Sequence, residues 1–174
     1  MSNAIIAVTP KVEKFLSVID AKKKTTISQS YVDSVFSRAD TLQIQNELTL
    51  TENLVFPKGK CLKFVGNGAL VMQNTSVEIN GTVEAPRKHI FKYNGALSNA
   101  RVSGAPETEE FLCDWFGVIP DGVTDYVATG RMFALPNFSS LTGCTVVFTK
   151  GLFKCGIDNN QSNVTFRCES GAIF

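Results

Sequence analysis

The chain has 174 residues, 44% of them apolar, with 17 Lys+Arg against 16 Asp+Glu and a formal net charge of +1. A chain of this length buries roughly 68–70% of the surface its unfolded form exposes, which excludes wholesale disorder and removes any need for a disulfide framework or structural metal. The near-neutral balance lacks the clustered basic charge of a nucleic-acid binder, and no apolar run of about 18 residues is present to cross a bilayer. Met1–Val8 has neither the basic start nor the long apolar stretch of a signal peptide, so the chain reads as soluble, with no membrane insertion and no visible export signal.

The first forty residues carry helical spacing. In Lys11 to Asp20, after a possible cap at Thr9, the residues Val12, Phe15, Leu16 and Ile19 recur at three- and four-residue steps and predict a short amphipathic helix or docking segment. Lys22-Lys23-Lys24 is too short to be more than a solvated link. Ser28 to Ser37 puts Tyr31, Val32, Val35 and Phe36 on a second helical face, which Arg38-Ala39-Asp40 terminates.

From Thr41 the period changes to two. Leu42 and Ile44, Leu48 and Leu50, Leu54 and Phe56, Leu62 and Phe64, Leu70 and Met72, Val77 and Ile79, Val83 and Ala85 form short alternating pairs. Gly59, Gly66-Asn67-Gly68, Asn74 and Asn80-Gly81 punctuate them with residues that tolerate positive φ. Strands this short cannot bury a face alone, so the pattern predicts a hairpin stack or a solenoid. An internal echo favours the solenoid: Leu54-Val55-Phe56-Pro57-Lys58-Gly59 recurs as Val146-Val147-Phe148-Thr149-Lys150-Gly151, followed respectively by Gly68-Ala69-Leu70 and Gly171-Ala172-Ile173. Polar, turn-forming Ser103 to Glu110 reads as a junction between subdomains.

Cys61, Cys113, Cys144, Cys155 and Cys168 are odd in number and show no C-x-x-C spacing, so they fit neither a zinc site nor a secreted scaffold. Their apolar and β-forming neighbours predict reduced, mostly buried thiols. His89 is the one histidine, with no second imidazole to share a metal and no local nucleophile; it reads as a strand-end side chain making one hydrogen bond.

The stretch Phe111 to Asp125 contains Trp115-Phe116-Gly117 and Asp121-Gly122-Val123-Thr124-Asp125. It predicts a turn at Asp121-Gly122, a cap at Thr124 or Asp125, and a short helix from Tyr126 to Leu135 stopped by Pro136. Leu141 to Lys154 then returns to strand, and Asn163 to Cys168 begins another rung. Asp121 and Asp125 could pair for glycoside hydrolysis or calcium, but a turn and a cap consume both as backbone acceptors. Trp115 and Phe116 could stack on a sugar, although an aromatic pair here also suits a plug over the first rung.

A W-F-G stretch followed by D-G-V-T-D, a short helix and a β-run closing in Lys150-Gly151 resembles the entry to the right-handed parallel β-helix of the pectate-lyase-like superfamily. In phage tailspikes and capsule depolymerases that entry is often preceded by a small β-subdomain similar to residues 48–91, including Asn80–Pro86 and Ile90-Phe91. The resemblance covers about residues 48–174, and its motif specifies fold more than activity, since non-viral polysaccharide lyases and hydrolases share it. Asp114 stands where glutamate is frequent, Tyr126 follows the second aspartate, and Gly130 interrupts the helix; these departures weaken the helix expectation.

The implied organisation is mainly β: an N-terminal helical anchor segment over 1–40, a small β-subdomain over 41–110, and over 111–174 the first rungs of a parallel β-helix. A solenoid needs caps at both ends, and Ser170 to Phe174 lies within an apolar strand pattern. The expectation is therefore a β-helix that continues beyond Phe174 and holds any active site there. No residue of this chain receives a catalytic, cofactor-binding or metal-binding role, and no cofactor is expected. The resemblance implies a virion-located homotrimer, attached to a phage tail or baseplate protein through residues 1–40. The part beyond Phe174 would bind, and in the full-length form cleave, a bacterial surface polysaccharide. The alternatives are a free-standing pectate-lyase-like enzyme whose N-terminal part caps its own β-helix, and a trimeric adhesin that binds glycan without cleaving it.

Overall fold

A computed structural model describes residues 18–94, 100–118, 120–125, 141–154 and 165–173. They form a parallel β-solenoid with one α-helix. The first coil is β1 (Val18–Asp20), β2 (Thr26–Ile27) and α1 (Gln29–Phe36). The second is β3 (Thr41–Ile44), β4 (Glu47–Leu50) and β5 (Leu54–Phe56), and the third is β6 (Cys61–Phe64), β7 (Ala69–Met72) and β8 (Ser76–Ile79). The fourth is β9 (Thr82–Glu84), β10 (Phe91–Tyr93) and β11 (Arg101–Ser103). Above it come β12 (Glu110–Leu112), a 3-10 turn at Cys113–Phe116 and β13 (Asp121–Asp125), then β14 (Thr145–Phe148) with β15 (Gly151–Lys154), and β16 (Thr165–Cys168) with β17 (Ala172–Ile173).

Among the described residues strands stack into faces rather than hairpins, and every ladder is parallel. The first face is β1-β3-β6-β9, the second β2-β4-β7-β10 and the third β5-β8-β11; higher up, β12-β14-β16 and β13-β15-β17 continue. Thr41 lies opposite Cys61, and Cys61 opposite Thr82, so each coil consumes about one strand and its corners per face. The alternating pairs are the inward rows: from Leu42 and Ile44 to Val77, Ile79 and Val83, each is at most 4% exposed. Aromatic rings knit successive coils together, with Phe64 edge-on to Phe91 at 5.8 Å and Phe91 against Phe116 at 5.3 Å.

The N-terminal expectations divide. Val18–Asp20 is a strand rather than the end of a helix, in register with Thr41–Gln43; residues 11–17 of the expected first helix lie outside the described residues. The second helix forms as α1, capped by Ser28, whose hydroxyl accepts the Tyr31 N–H at 3.3 Å. Its apolar face does not wait for a partner, because Val32, Val35 and Phe36 are buried in the solenoid's own core and Phe36 meets Phe56 edge-on at 6.2 Å. In the lysine run, Lys24 places its ammonium 4.2 Å from the centre of the Tyr31 ring.

Ser103 to Glu110 carries the column upward. Glu107 N–H donates to the Gly81 carbonyl at 3.0 Å, Val83 N–H donates to Thr108 Oγ1 at 2.6 Å, and Ala105 N–H donates to Asn80 Oδ1 at 3.0 Å. The described residues of 41–110 and of 111–173 contribute to one hydrophobic cluster. The two copies of the echo fall on different sheets: Leu54–Phe56 lies in β11-β8-β5 and Val146–Phe148 in β12-β14-β16, while Gly68-Ala69 opens β7 and Gly171-Ala172 opens β17. Asp121-Gly122-Val123-Thr124-Asp125 is an irregular strand with a turn about Gly122, and the expected cap and the helix over 126–135 lie outside the described residues.

Candidate functional site

The densest polar arrangement sits where the corner after β9 meets the 3-10 turn and the end of β14. Arg87 Nε donates to Asp114 Oδ1 at 3.0 Å, Thr149 Oγ1 donates to Asp114 Oδ2 at 2.9 Å, and an Arg87 terminal nitrogen reaches the Lys150 carbonyl at 3.2 Å. The 3-10 turn exists to hold this geometry: Gly117, at φ 83, ends it and lets its N–H bond back to the Asp114 carbonyl at 3.0 Å. Beside it Trp115 donates its indole N–H to the Pro86 carbonyl at 3.0 Å, so three successive coils are tied at one corner.

This arrangement is suited to holding a fold, not to moving protons. Both Asp114 oxygens are engaged and Thr149 is 1% exposed, which leaves no open position for a substrate. Cys113 also points its thiol at Asp114, 3.7 Å away, and burial, reinforced by that carboxylate, pushes its pKa from the ordinary 9.0 to about 11. A thiol so protonated is a poor nucleophile. Because the folded form holds its proton more tightly than the unfolded one, this thiol's contribution to stability is complete below pH 9 and is lost as pH rises toward 11. Alkylation by iodoacetamide at pH 8, followed by mass spectrometry, is expected to label exposed Cys168 first and leave Cys113 and Cys144, both buried, unlabelled until denaturant is added. Early labelling of Cys113 would contradict this account.

The other residues singled out by sequence fall into place individually. His89 directs Nε2–H at the Phe91 carbonyl at 2.8 Å, and its ring packs against Gly117. Asp121 accepts the Val123 N–H at 2.9 Å in a local turn about Gly122, so it is a backbone acceptor as expected. Trp115 and Phe116 are 5% and 4% exposed and face Phe111, at 5.2 and 6.2 Å, which removes both from any sugar-stacking surface. Cys61 is half-buried and free; Cys155 lies outside the described residues. Among the described residues no group of three or more His, Cys, Asp or Glu could hold a metal ion.

Two outer features went unread. Ion pairs cross the coils on the outside of the first face and its continuation, Lys63 with Glu84 at 2.8 Å and Arg167 with Glu110 at 2.7 Å, and on the second face Lys92 with Glu47 at 2.5 Å. The upper coils instead present Val123, Leu152 and Ile173, at 77%, 49% and 58% exposure, on one three-stranded sheet, with Leu152 directly opposite Ile173. Alternation within Gly151-Leu152-Phe153 was the available signal, since Phe153 points inward.

No family model, no curated protein and no solved structure matches the chain.

Proposed function

We propose that the chain is the N-terminal, virion-attached region of a bacteriophage tailspike built on a right-handed pectate-lyase-like β-helix. On this reading its full-length form is a homotrimer that recognises and depolymerises a host surface polysaccharide. The observation that carries the reading is the parallel solenoid whose coils lead into Trp115-Phe116-Gly117 and Asp121–Asp125, the motif on which the resemblance rests. A scaffolding role for this region agrees with the engaged Asp114 corner, the buried aromatics and the protonated Cys113. On this reading polysaccharide recognition and cleavage belong to the full-length form and not to the Asp114 corner.

The attachment role narrows to residues 1–17. Residues 18–40 supply β1, β2 and α1 to the column, so removing them would strip Leu42, Leu48 and Leu54 of the coil beneath them. Deleting residues 1–17 is expected to leave a folded protein that no longer enters phage particles. Normal incorporation of that deletion would remove the anchor assignment. Light scattering on the 19.0 kDa chain is expected to give a species near three times that mass, and a monomer would count against the homotrimer.

A further inference from the structure

We infer that Gln29 acts as a surrogate strand residue that closes the first edge of the third face and blocks the addition of a second copy of this chain at β5. The sheet β11-β8-β5 ends at β5, because the first coil contributes α1 there instead of a strand. An end strand normally presents free N–H and C=O groups that another chain can pair with. On β5 the residue facing outward is Val55, since Phe56 turns its carbonyl the other way, to the Asn80 N–H at 2.9 Å. Val55 N–H donates to Gln29 Oε1 at 2.7 Å, and Gln29 Nε2 donates to the Val55 carbonyl at 3.1 Å. One carboxamide therefore makes both bonds that a neighbouring strand would make.

The amide is held in that orientation from two sides. The second proton of Nε2 goes to Asp33 Oδ1 at 2.8 Å, one helical turn along α1, and a carboxylate can only accept, so the nitrogen cannot exchange places with Oε1. Gln29 N–H, one of the unpaired donors of the helix start, is met by Glu52 Oε1 at 2.9 Å from the loop before β5. Helix, loop and strand are thus fixed to one another around a single side chain. The edge needs such a block because Val55 is apolar and 42% exposed, the combination that invites strand addition. The inference is independent of the proposed viral role.

The test compares the full-length wild-type chain with Q29A and with Q29A/V55K by light scattering over rising concentration, with circular dichroism to verify folding. Q29A is expected to form species heavier than wild type in proportion to concentration, and V55K, which puts a charge on the opened edge, is expected to return it to the wild-type mass. A Q29A protein that keeps the wild-type mass throughout overturns the inference, as do heavier species that survive V55K. Should Q29A not fold, Q29E serves in its place: it keeps the acceptor for Val55 N–H and loses the donor to the Val55 carbonyl. Association of Q29E that V55K suppresses supports the block, and a wild-type mass overturns it.

Discussion

Replacement of Gly104 by alanine is expected to lower stability by about 4 kcal/mol, near the top of the range for a single substitution. Two costs add. Gly104 has φ of +109, a region nearly reserved to glycine, where another residue loses ~1–3 kcal/mol. A methyl group there would also lie 2.3 Å from the Ile79 carbonyl oxygen and 2.8 Å from the Ile79 carbonyl carbon and nitrogen. These are main-chain atoms of β8, paired to β5 through Phe56, and they cannot swing aside as a flexible side chain would. On the other side Gly104 pairs with Leu141 and accepts the Thr142 N–H at 2.9 Å, so widening one gap strains the next coil too. Gly59 is the matched control: its φ is +72 but nothing lies within 4 Å of an added methyl, so Gly59→Ala is expected to cost only ~1–2 kcal/mol. Urea midpoints followed by circular dichroism measure the difference. Equal midpoints for the two variants would mean that the close approach of Gly104 to Ile79 yields at little cost.

The inward rows were legible because period two is a local property: Leu62 and Phe64 are buried for the same reason that their spacing predicts it. What joins one coil to another is not local. Ile19 belongs equally well to a helical pattern with Val12, Phe15 and Leu16, and it becomes strand because Leu42 offers a parallel partner beyond the reach of any short window. Asp114 is drawn into its corner by Arg87, 27 residues earlier, and by Thr149, 35 residues later. Gln29 reads as an ordinary polar helix residue until Val55, 26 residues on, is brought beside it. Asp121 to Asp125 likewise depends on a distant partner. A turn forms about Gly122, at φ 67, and the chain on either side of it pairs with a distant strand, Asp121 with Leu152 and Asp125 with Lys154.

Removal of the Trp115 side chain is expected to cost ~3–5 kcal/mol, because the corner it occupies cannot collapse around the space left behind. The ring is 5% exposed, stands edge-on to Phe111 at 5.2 Å, and is bonded to Pro86 across 29 residues of sequence. Phe111 is itself 0% exposed and 6.2 Å from Phe116, so its position on the far side of the gap is already fixed. Trp115→Ala therefore leaves both a cavity and a Pro86 carbonyl without its donor, an added penalty of ~1–3 kcal/mol where that carbonyl stays dry. Trp115→Phe separates the two contributions. It restores most of the volume, returns no N–H, and is expected to recover more than half of the loss in a urea titration. A Trp115→Phe variant as unstable as Trp115→Ala would assign the corner's strength to the single hydrogen bond, whereas one equal to wild type would assign it to packing between coils. Either way the effect is read in stability: a side chain sealed between Phe111 and the corner after β9 joins the fourth coil to the fifth and has no face left to offer a sugar.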